Sequence, residues 1–324
     1  MQGARTLTER MRRVLRTTPA LAMTLLAVPA AAQKPAARTP TTPPTAAATL
    51  DRIKAAGRIR LGFRADARPF SFRDQPGDPA GYTVGLCLNV AEAVRTAVGN
   101  PSLVIEWVPV TLETRFTALE QGQVDLLCGA ESITLARRQE VAFSTPIFPG
   151  GIGALVRSDA PTRVKDILNG RQPPAQPNWR ASAVQTLQTQ VFAVIGGTTA
   201  EAWLAGKVKE FKLTSKTVPV DGYDAGVQAV QSRKATVFFG DRAILLDAAA
   251  RSANPGALVV LERQFTAEPI ALAMRRGDED FRLLVDRALS ALYARGEFAD
   301  LYRMYFGPPD AATQAFFRWN TVPE

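Results

Sequence analysis

Histidine is absent from the 324-residue chain, and cysteine occurs only twice. The first absence excludes Ser-His-Asp triads, histidine zinc ligands and the usual general base near neutral pH. Two cysteines are also too few to complete a tetrahedral metal site on their own. We therefore expect neither a metal site nor a cofactor.

Dense basic runs and long apolar runs are lacking as well. The net charge is +9, but the first 32 residues carry +4 of it, so the rest of the chain is only mildly basic. No dense run of Lys or Arg follows residue 33, and nucleic-acid binding is not expected. The hydrophobic content of 46% is sufficient to bury a substantial core in one two-lobed unit or in two domains.

The N-terminus has the three parts of an export signal. Five arginines between residues 5 and 16 precede the apolar run Ala20–Val28, and small residues follow up to Ala32. This run is too short for a spanning helix, which takes about 20 apolar residues. We expect residues 1–32 to be a signal peptide, cleaved near Ala32 to release a periplasmic protein. Residues 33–49 are rich in Pro, Ala and Thr, which predicts a disordered linker.

Both cysteines, Cys87 and Cys128, follow the expected signal peptide. An exported chain with two thiols favours a disulfide between them. Two buried free thiols are the alternative.

Segments typical of strands and of helices alternate from about Leu50 to Gly307. This alternation predicts an α/β fold with a mainly parallel sheet and with ligands at the carboxyl ends of its strands. Residues 171–189 are rich in Gln and Pro and predict a surface excursion outside the core. The tail beyond Pro308 is expected to pack loosely.

The most specific pattern follows the apolar segment Val124–Leu127, which is typical of a buried strand. Ser132 or Thr134 could then cap a short helix that carries Arg137 and Arg138. Amides at the start of a helix and a guanidinium nearby together form a receptor for a carboxylate. The alternative is that the two arginines lie on a solvated helix surface.

Residue types and spacing in this stretch follow the pattern Gly-x-x-Ser/Thr-x-Thr-x-x-Arg and then Val-x-Phe-Ser-x-Pro-Tyr/Phe. The matching residues are Gly129, Ser132, Thr134, Arg137, Phe143, Ser144, Pro146 and Phe148. The chain therefore resembles the family 3 extracellular solute-binding proteins, which are type 2 periplasmic binding proteins that capture polar amino acids for ABC importers. The resemblance implies a two-lobed α/β fold with two hinge crossings, near residues 146–153 and 262–269.

The same resemblance implies how the chain is divided. We expect residues 50–148 and 266–310 to form one lobe, residues 149–265 to form the other, and residues 311–324 to form a C-terminal tail. The implied protein is a monomer that passes an amino acid to the membrane permease of an ABC transporter.

Two other functions are compatible with this fold. One is an orphan or sensory receptor that passes its ligand to a signalling partner. The other is an enzyme similar to the dehydratases that share the fold. Without histidine, such an enzyme would need Glu131, Asp241 or Asp66 as its acid and base.

The resemblance also implies which residues bind the two charged groups that all amino acids share. The α-carboxylate is expected to contact Arg137 and Ser132 from one lobe and Thr198 from the other. The α-ammonium is expected to contact Asp241 and the backbone carbonyl of Ala130. The alternative for Thr198 and Asp241 is a purely structural role as helix caps.

For the ligand side chain, Arg64 and Arg115 occupy positions at which glutamate/aspartate-binding members bind the second carboxylate. Phe70 is expected to pack on the aliphatic stem of the ligand. In the alternative reading, Arg115 pairs with Glu120 or Asp125, Arg64 is merely exposed, and Phe70 fills the core.

Several residues depart from the pattern of the glutamate/aspartate-binding members. Leu112 and Ala130 stand where those proteins have Ser, Tyr223 stands in the ligand-binding position of a His, and Gly85 replaces an Asp. Glu131 would disfavour an anionic ligand if it faced the cleft. Glutamine, asparagine or another polar amino acid is therefore an alternative to an acidic ligand.

Overall fold

The structure, a computed structural model, describes residues 48–75, 77–171 and 179–324. The expected signal peptide, its cleavage near Ala32 and nearly all of the 33–49 linker lie outside the described residues. Thr49, at the end of the predicted linker, begins the first helix, and its backbone N–H donates to a carboxylate oxygen of Asp278 at 2.6 Å.

Helices and strands interleave along the described chain, which confirms the predicted α/β class. The strands are β1 (Arg58–Arg64), β2 (Asp66–Ala67), β3 (Ser71–Arg73), β4 (Pro79–Ala80), β5 (Val104–Val110), β6 (Leu126–Ser132), β7 (Val141–Phe143), β8 (Ile152–Arg157), β9 (Val191–Ile195), β10 (Lys216–Val220), β11 (Val237–Asp241), β12 (Leu258–Val260) and β13 (Ile270–Arg275). The helices are α1 (Thr49–Ala56), α2 (Tyr82–Val98), α3 (Arg115–Glu120), α4 (Thr162–Asn169), α5 (Trp179–Gln188), α6 (Thr199–Glu210), α7 (Tyr223–Gln231), α8 (Arg242–Arg251), α9 (Glu279–Ala294), α10 (Phe298–Phe306) and α11 (Ala311–Asn320). None of the helices in the described ranges combines the length and the apolar content needed to cross a bilayer.

Lobe 1 is the five-stranded sheet of order β5-β1-β6-β13-β7 with the helices that cover it. Strands β5, β1 and β6 are parallel, whereas β13 runs antiparallel to both of its neighbours. Helices cover both faces of this sheet, and successive side chains along a strand point to opposite faces. Strands β6 and β13 therefore each contribute to two cores. Leu126 and Leu272 belong to the core with α2 and α9, while Leu127 and Ala273 belong to the core with α3.

Lobe 2 is the five-stranded sheet of order β10-β9-β11-β8-β12 with its helices. Strands β10, β9 and β11 are parallel, and β8 and β12 are antiparallel additions. Val194 and Phe239 face α6 on one side, and Ala193 and Phe238 face α7 and α8 on the other. Both lobes therefore have mixed sheets, not the mainly parallel sheet expected from the alternation of elements.

The chain passes between the lobes twice, which confirms the prediction of two crossings. One crossing lies between β7 and β8, and the other lies between β12 and β13. The two segments are hydrogen-bonded to each other, since the N–H of Glu268 donates to the carbonyl of Gly150 at 2.8 Å. They approach so closely that a Cβ on Gly151 would lie 2.1 Å from the Thr266 carbonyl oxygen, which explains a glycine at this point.

The signature stretch differs from the predicted strand, turn and helix. Strand β6 continues to Ser132 because its pairing with β13 extends to the Ser132–Ile270 position. No longer helix follows, and Arg137 lies in a single 3₁₀ turn at Arg137–Gln139. The residue directly before this turn is Ala136, so neither Ser132 nor Thr134 is its N-cap, although Thr134 Oγ1 accepts from the Arg137 N–H at 3.1 Å.

Two segments expected outside the core contribute to it. Part of residues 171–189 forms α5, and Leu187 packs against the core of lobe 2. The tail forms α11, whose Phe317 is 1% exposed in the core of lobe 1. For residues 179–189 and for the tail both predictions were wrong, because the apolar residues involved are few and gain burial only by packing on other elements. Residues 172–178 lie outside the described residues.

Cys87 on α2 and Cys128 on β6 form a disulfide, with a distance of 2.07 Å between the sulfur atoms. Both residues are fully buried in the core of lobe 1. The alternative of two free thiols is therefore not what the structure contains.

Candidate ligand-binding site

A cavity lies between the lobes, where the carboxyl ends of β6 and β11 meet the N-termini of α6 and α8. Eight of the nine residues predicted to bind the ligand line it: Arg64, Arg115, Ala130, Ser132, Arg137, Thr198, Tyr223 and Asp241. They come from both lobes, the crossing segments contribute Gly151 and Glu268 to the same wall, and β8 contributes Ile152. The fold therefore brings together side chains that lie far apart in the sequence.

Arg137 enters the cavity from the 3₁₀ turn that follows β6. Its Nη1 donates to the Ser132 carbonyl at 2.9 Å, and its guanidinium lies 5.7 Å from the centre of the Phe116 ring. Burial lowers the pKa of Arg137, against the opposing attraction of Glu131. No salt bridge to this guanidinium is found among the described residues, so it is a partly desolvated cation available to an anion.

Thr198 lies across the cavity at the start of α6. Its hydroxyl donates to the Ile195 carbonyl at 2.6 Å and accepts from the Glu201 N–H at 3.3 Å. The residue is therefore a helix cap, as the structural alternative predicted, and it also lines the cavity. The helix N-terminus adds partial positive charge to the side of the cavity opposite Arg137.

Asp241 ends β11 and caps α8. Its Oδ1 accepts from the N–H groups of Ala243 at 2.9 Å and Ile244 at 3.3 Å. Burial raises the pKa of the Asp241 carboxyl to about 7, even though these two amides lower it. A carboxylate that is costly to ionise in this environment gains from a neighbouring cation.

Tyr223 supports this end of the cavity from the first turn of α7. Its hydroxyl oxygen accepts from the Asp241 N–H at 3.2 Å, and burial raises the pKa of the phenol. The side chain stays neutral and holds the backbone from which the Asp241 carboxylate projects.

Arg115 and Arg64 lie in the cavity wall with carboxylate partners. The Nε of Arg115 donates to Oε2 of Glu131 at 2.7 Å, and both side chains are buried. Glu131 therefore takes the place of the predicted alternatives, Glu120 and Asp125. Asp125 instead accepts from the backbone N–H of Arg60.

Arg64 is 6% exposed, so the alternative of an exposed side chain is wrong. Its Nε and Nη2 donate to the two carboxylate oxygens of Asp66 at 2.9 and 2.8 Å. Burial acts to lower the pKa of Arg64, but the hydrogen bonds and the attraction of Asp66 outweigh it and the pKa is raised.

The family of bacterial extracellular solute-binding proteins, family 3, matches residues 59–308, which is most of the chain and includes the whole cavity. This chain belongs to that family. Every residue that lines the cavity lies within the matched residues.

Individual relatives carry more specific names. This family 3 protein is 29% identical to the L-glutamate/L-aspartate-binding protein of Pseudomonas aeruginosa over 81% of its own length and 80% of the relative's. It is 25% identical to the glutamate/aspartate import solute-binding protein of Escherichia coli, with 82% of each chain covered. It is 28% identical to a glutamate/glutamine/aspartate/asparagine-binding protein of Rhodobacter capsulatus, over 78% of its own length and 68% of the relative's.

Solved structures show the same fold. An ancestral amino acid-binding protein described as a precursor of cyclohexadienyl dehydratase is 28% identical, with a TM-score of 0.64 and coverage of 80% of this chain and 99% of that one. The cysteine-binding protein from Campylobacter jejuni has a TM-score of 0.63 at 21% identity, covering 80% of this chain and 93% of that one. At this second level of identity the likeness concerns the fold alone.

Phe70 is the predicted site residue that the structure places elsewhere. It does not line the cavity, and its ring is fully buried 4.9 Å from the ring of Phe148 and 5.3 Å from that of Phe306. The prediction that Phe70 packs on a ligand stem is therefore replaced by the alternative, a core residue. Phe70 is buried because α10 packs over it and places Phe306 against its ring.

Glu268 was missed by the sequence reasoning, although it lies in the wall of the cavity. It belongs to the return crossing directly before Pro269 and β13, and its N–H is bonded to Gly150 of the other crossing. An acidic residue within a predicted hinge crossing was the available signal. Glu131 was expected to matter only if it faced the cleft. Its side chain does line the cavity and is 2% exposed.

The carboxylates of the site do not form a cluster suited to a metal. Within residues 48–75, 77–171 and 179–324, no group of three or more His, Cys, Asp or Glu is arranged to hold a metal ion. The arrangement instead pairs carboxylates with guanidiniums and with helix amides, which suits an organic ion with both charges.

Proposed function

We propose that this protein is the periplasmic receptor of an amino-acid ABC importer and binds a polar amino acid, either acidic or with an amide side chain. The observation that carries the proposal is that Arg137 from lobe 1 and Asp241 from lobe 2 line the same cavity. One supplies a cation without a carboxylate partner among the described residues, and the other supplies a carboxylate. An amino acid brings the complementary charge to each.

The α-carboxylate would contact the Arg137 guanidinium, with Ser132 from β6 and Thr198 at the N-terminus of α6 as further donors. A guanidinium and a helix N-terminus both stabilise a carboxylate, the first by two parallel hydrogen bonds and the second by its unpaired amides. Because these groups come from different lobes, a bound carboxylate would hold the lobes together.

The α-ammonium would contact the Asp241 carboxylate and the carbonyl of Ala130. The raised pKa of Asp241 supports this role, since a carboxylate that is poorly stabilised without a cation gains most when one arrives. The capping bonds to α8 fix its Oδ1, which orients the carboxylate before the ligand binds.

The names of the relatives support an amino-acid ligand. The proteins from Pseudomonas aeruginosa and Escherichia coli are named for glutamate and aspartate, and the protein from Rhodobacter capsulatus is named for both acids and both amides. The arginines at 64 and 115, which line the cavity here, support a polar side chain on the ligand.

The remaining parts of the proposal concern the setting of the receptor. Residues 1–32 would direct export and be removed near Ala32, and the monomeric receptor would deliver its ligand to a membrane permease. Residues 50–148 and 266–310 would move as one lobe and 149–265 as the other.

No chemical conversion is proposed, because Glu131 and Asp66, two of the candidate acids and bases, are engaged with arginines.

A thermal-shift screen of the protein against the twenty amino acids tests the proposal. A ligand present at 100 times its dissociation constant stabilises the folded state by about 2.7 kcal/mol, which raises the melting temperature measurably. We expect a stereospecific rise with one or more of glutamate, aspartate, glutamine and asparagine. Equal melting temperatures with all amino acids at millimolar concentration would contradict the proposal.

A further inference from the structure

We infer that Glu131 is a specificity-determining residue and that it makes this cavity select an amide side chain, as in glutamine or asparagine, over an acidic one. The inference rests on the proposed function and names the substrate class of the same site. It follows from the partners that the structure gives to the two arginines expected to bind the ligand side chain.

Arg115 is neutralised from within the protein. Its side chain is 5% exposed and that of Glu131 is 2% exposed, with 2.7 Å between Nε and Oε2. A buried pair at this distance is strongly coupled, because little water screens the two charges. The positive charge that would bind a second ligand carboxylate is therefore already compensated at Arg115.

Arg64 is compensated in the same way. Two parallel hydrogen bonds join its guanidinium to Asp66, and this two-pronged geometry is the strongest that the two groups can form. The Arg64 side chain is 7% exposed, whereas that of Asp66 is 53% exposed, so this pair extends from the cavity toward solvent.

The charges of the whole cavity then disfavour a ligand with a net negative charge. Three guanidiniums in the wall, Arg64, Arg115 and Arg137, are matched by three carboxylates, Glu131, Asp241 and Glu268, and Asp66 adds a fourth carboxylate next to Arg64. A zwitterion adds equal and opposite charges to this set. A side-chain carboxylate would add an unbalanced anion near Glu131, which costs free energy in a buried site.

A carboxamide matches both members of the Arg115–Glu131 pair. Its oxygen accepts from a guanidinium N–H, and its NH₂ group donates to a carboxylate oxygen. A carboxylate offers no donor to Glu131, and a cationic side chain would face Arg64 and Arg115. A ligand side chain that ends in an amide is therefore repelled neither by Glu131 nor by the two arginines.

Isothermal titration of the wild-type protein with L-glutamine, L-asparagine, L-glutamate, L-aspartate and L-arginine tests this selection. We expect at least one amide to bind tenfold or more tightly than the acid of equal length. A preference below tenfold for both amides over the acids of equal length, or tighter binding of arginine than of both amides, would overturn the inference while leaving the proposed receptor function intact. Binding of none of the amino acids would contradict the proposed function itself, and the inference with it.

The variant Glu131→Gln tests the residue. Removing this carboxylate leaves the charge of Arg115 uncompensated, so the affinity for glutamate relative to glutamine should rise at least tenfold. Glu120→Gln is the matched control, since Glu120 lies exposed on the same helix as Arg115 and outside the cavity wall, and its ratio of affinities should stay at the wild-type value.

Circular dichroism and the melting temperature check that the Glu131→Gln protein is folded. A folded variant with the wild-type ratio of glutamate to glutamine affinity would show that Glu131 does not set selectivity. If the variant does not fold, the ranking of ligands by the wild-type protein still decides between an amide-selective and an acid-selective cavity.

Discussion

At the scale of single residues, the cavity separates charges that are compensated from charges that await a partner. Arg64 and Arg115 have carboxylates at hydrogen-bond distance, whereas the Arg137 guanidinium contacts a backbone carbonyl. Asp241 has helix amides as partners, and these do not prevent burial from raising its pKa. Loss of either Arg137 or Asp241 should therefore affect binding more than folding.

Arg137→Ala should strongly weaken amino-acid binding. A buried carboxylate that loses its charged partner costs about 2–5 kcal/mol, which corresponds to a loss of affinity of roughly 30-fold or more. Titration calorimetry measures the effect, and Arg138→Ala, an exposed neighbour with the same charge, is the control. Near-normal affinity in the Arg137 variant would show that the carboxylate binds elsewhere.

Amino-acid affinity should fall as the pH is lowered through about 7. Burial raises the pKa of Asp241 to about 7, so at lower pH its carboxyl takes up a proton and no longer attracts an ammonium. Calorimetry from pH 5.5 to 8.5 measures this profile. Asp241→Asn should bind weakly with a flat profile, and a flat profile in the wild-type protein would contradict the assignment.

The same group has the opposite effect on the stability of the ligand-free protein. An unfolded aspartate ionises at pH ~3.9, whereas folded Asp241 retains its proton to about pH 7. Between these values the folded state binds more protons, so this group lowers the free energy of unfolding as the pH rises. Ligand binding should weaken this trend, because an ammonium next to Asp241 stabilises the ionised form.

At the scale of elements, lobe 1 is completed by helices from the end of the chain. Phe317 on α11 packs against Tyr293 on α9 and Phe298 on α10, with ring centres 4.9 and 3.9 Å away. These helices cover the same core that holds the disulfide between α2 and β6. The C-terminal segment is therefore part of the core of lobe 1 and not an appended tail.

Phe317→Ala should lower the free energy of unfolding by about 3–5 kcal/mol, the usual cost of removing a buried phenylalanine ring. Trp319→Ala is the control on the same helix, because Trp319 is 88% exposed, and its effect should stay within about 0.5 kcal/mol. Urea denaturation followed by circular dichroism measures both. Equal effects of the two substitutions would mean that α11 does not pack on lobe 1 in solution.

At the scale of the whole molecule, the lobes are in contact around the cavity. Ile244 of lobe 2 belongs to the core cluster of lobe 1, and Leu112 of lobe 1 packs on a core cluster of lobe 2. The guanidinium of Arg68 also lies 3.5 Å from the carboxylate of Asp247 across the lobes. The structure is thus a closed arrangement in which residues of both lobes line one cavity.

Ligand binding should make the molecule more compact in solution. A ligand that touches both Arg137 and Asp241 has more contacts in the closed arrangement than in an open one. Ligand binding therefore shifts the population of molecules toward the closed arrangement. Small-angle X-ray scattering should show a smaller radius of gyration with ligand than without. Arg137→Ala should show no such change, and an unchanged radius in the wild-type protein would argue that its lobes do not open.

The order of the elements follows from local patterns in the sequence, such as the alternation in β1, which need no knowledge of distant contacts. The two crossings, and eight of the residues that line the cavity, were implied by the resemblance to a family that the signature from Gly129 to Phe148 carries. The partners of those residues follow only from the folded chain. The pairing of Arg115 with Glu131, the burial of Phe70 under α10 and the packing of α11 on α9 each join segments whose proximity no local pattern encodes. Charge and burial at a site depend on such neighbours, and this is why the site could be located from the sequence while its preference for a ligand side chain could not.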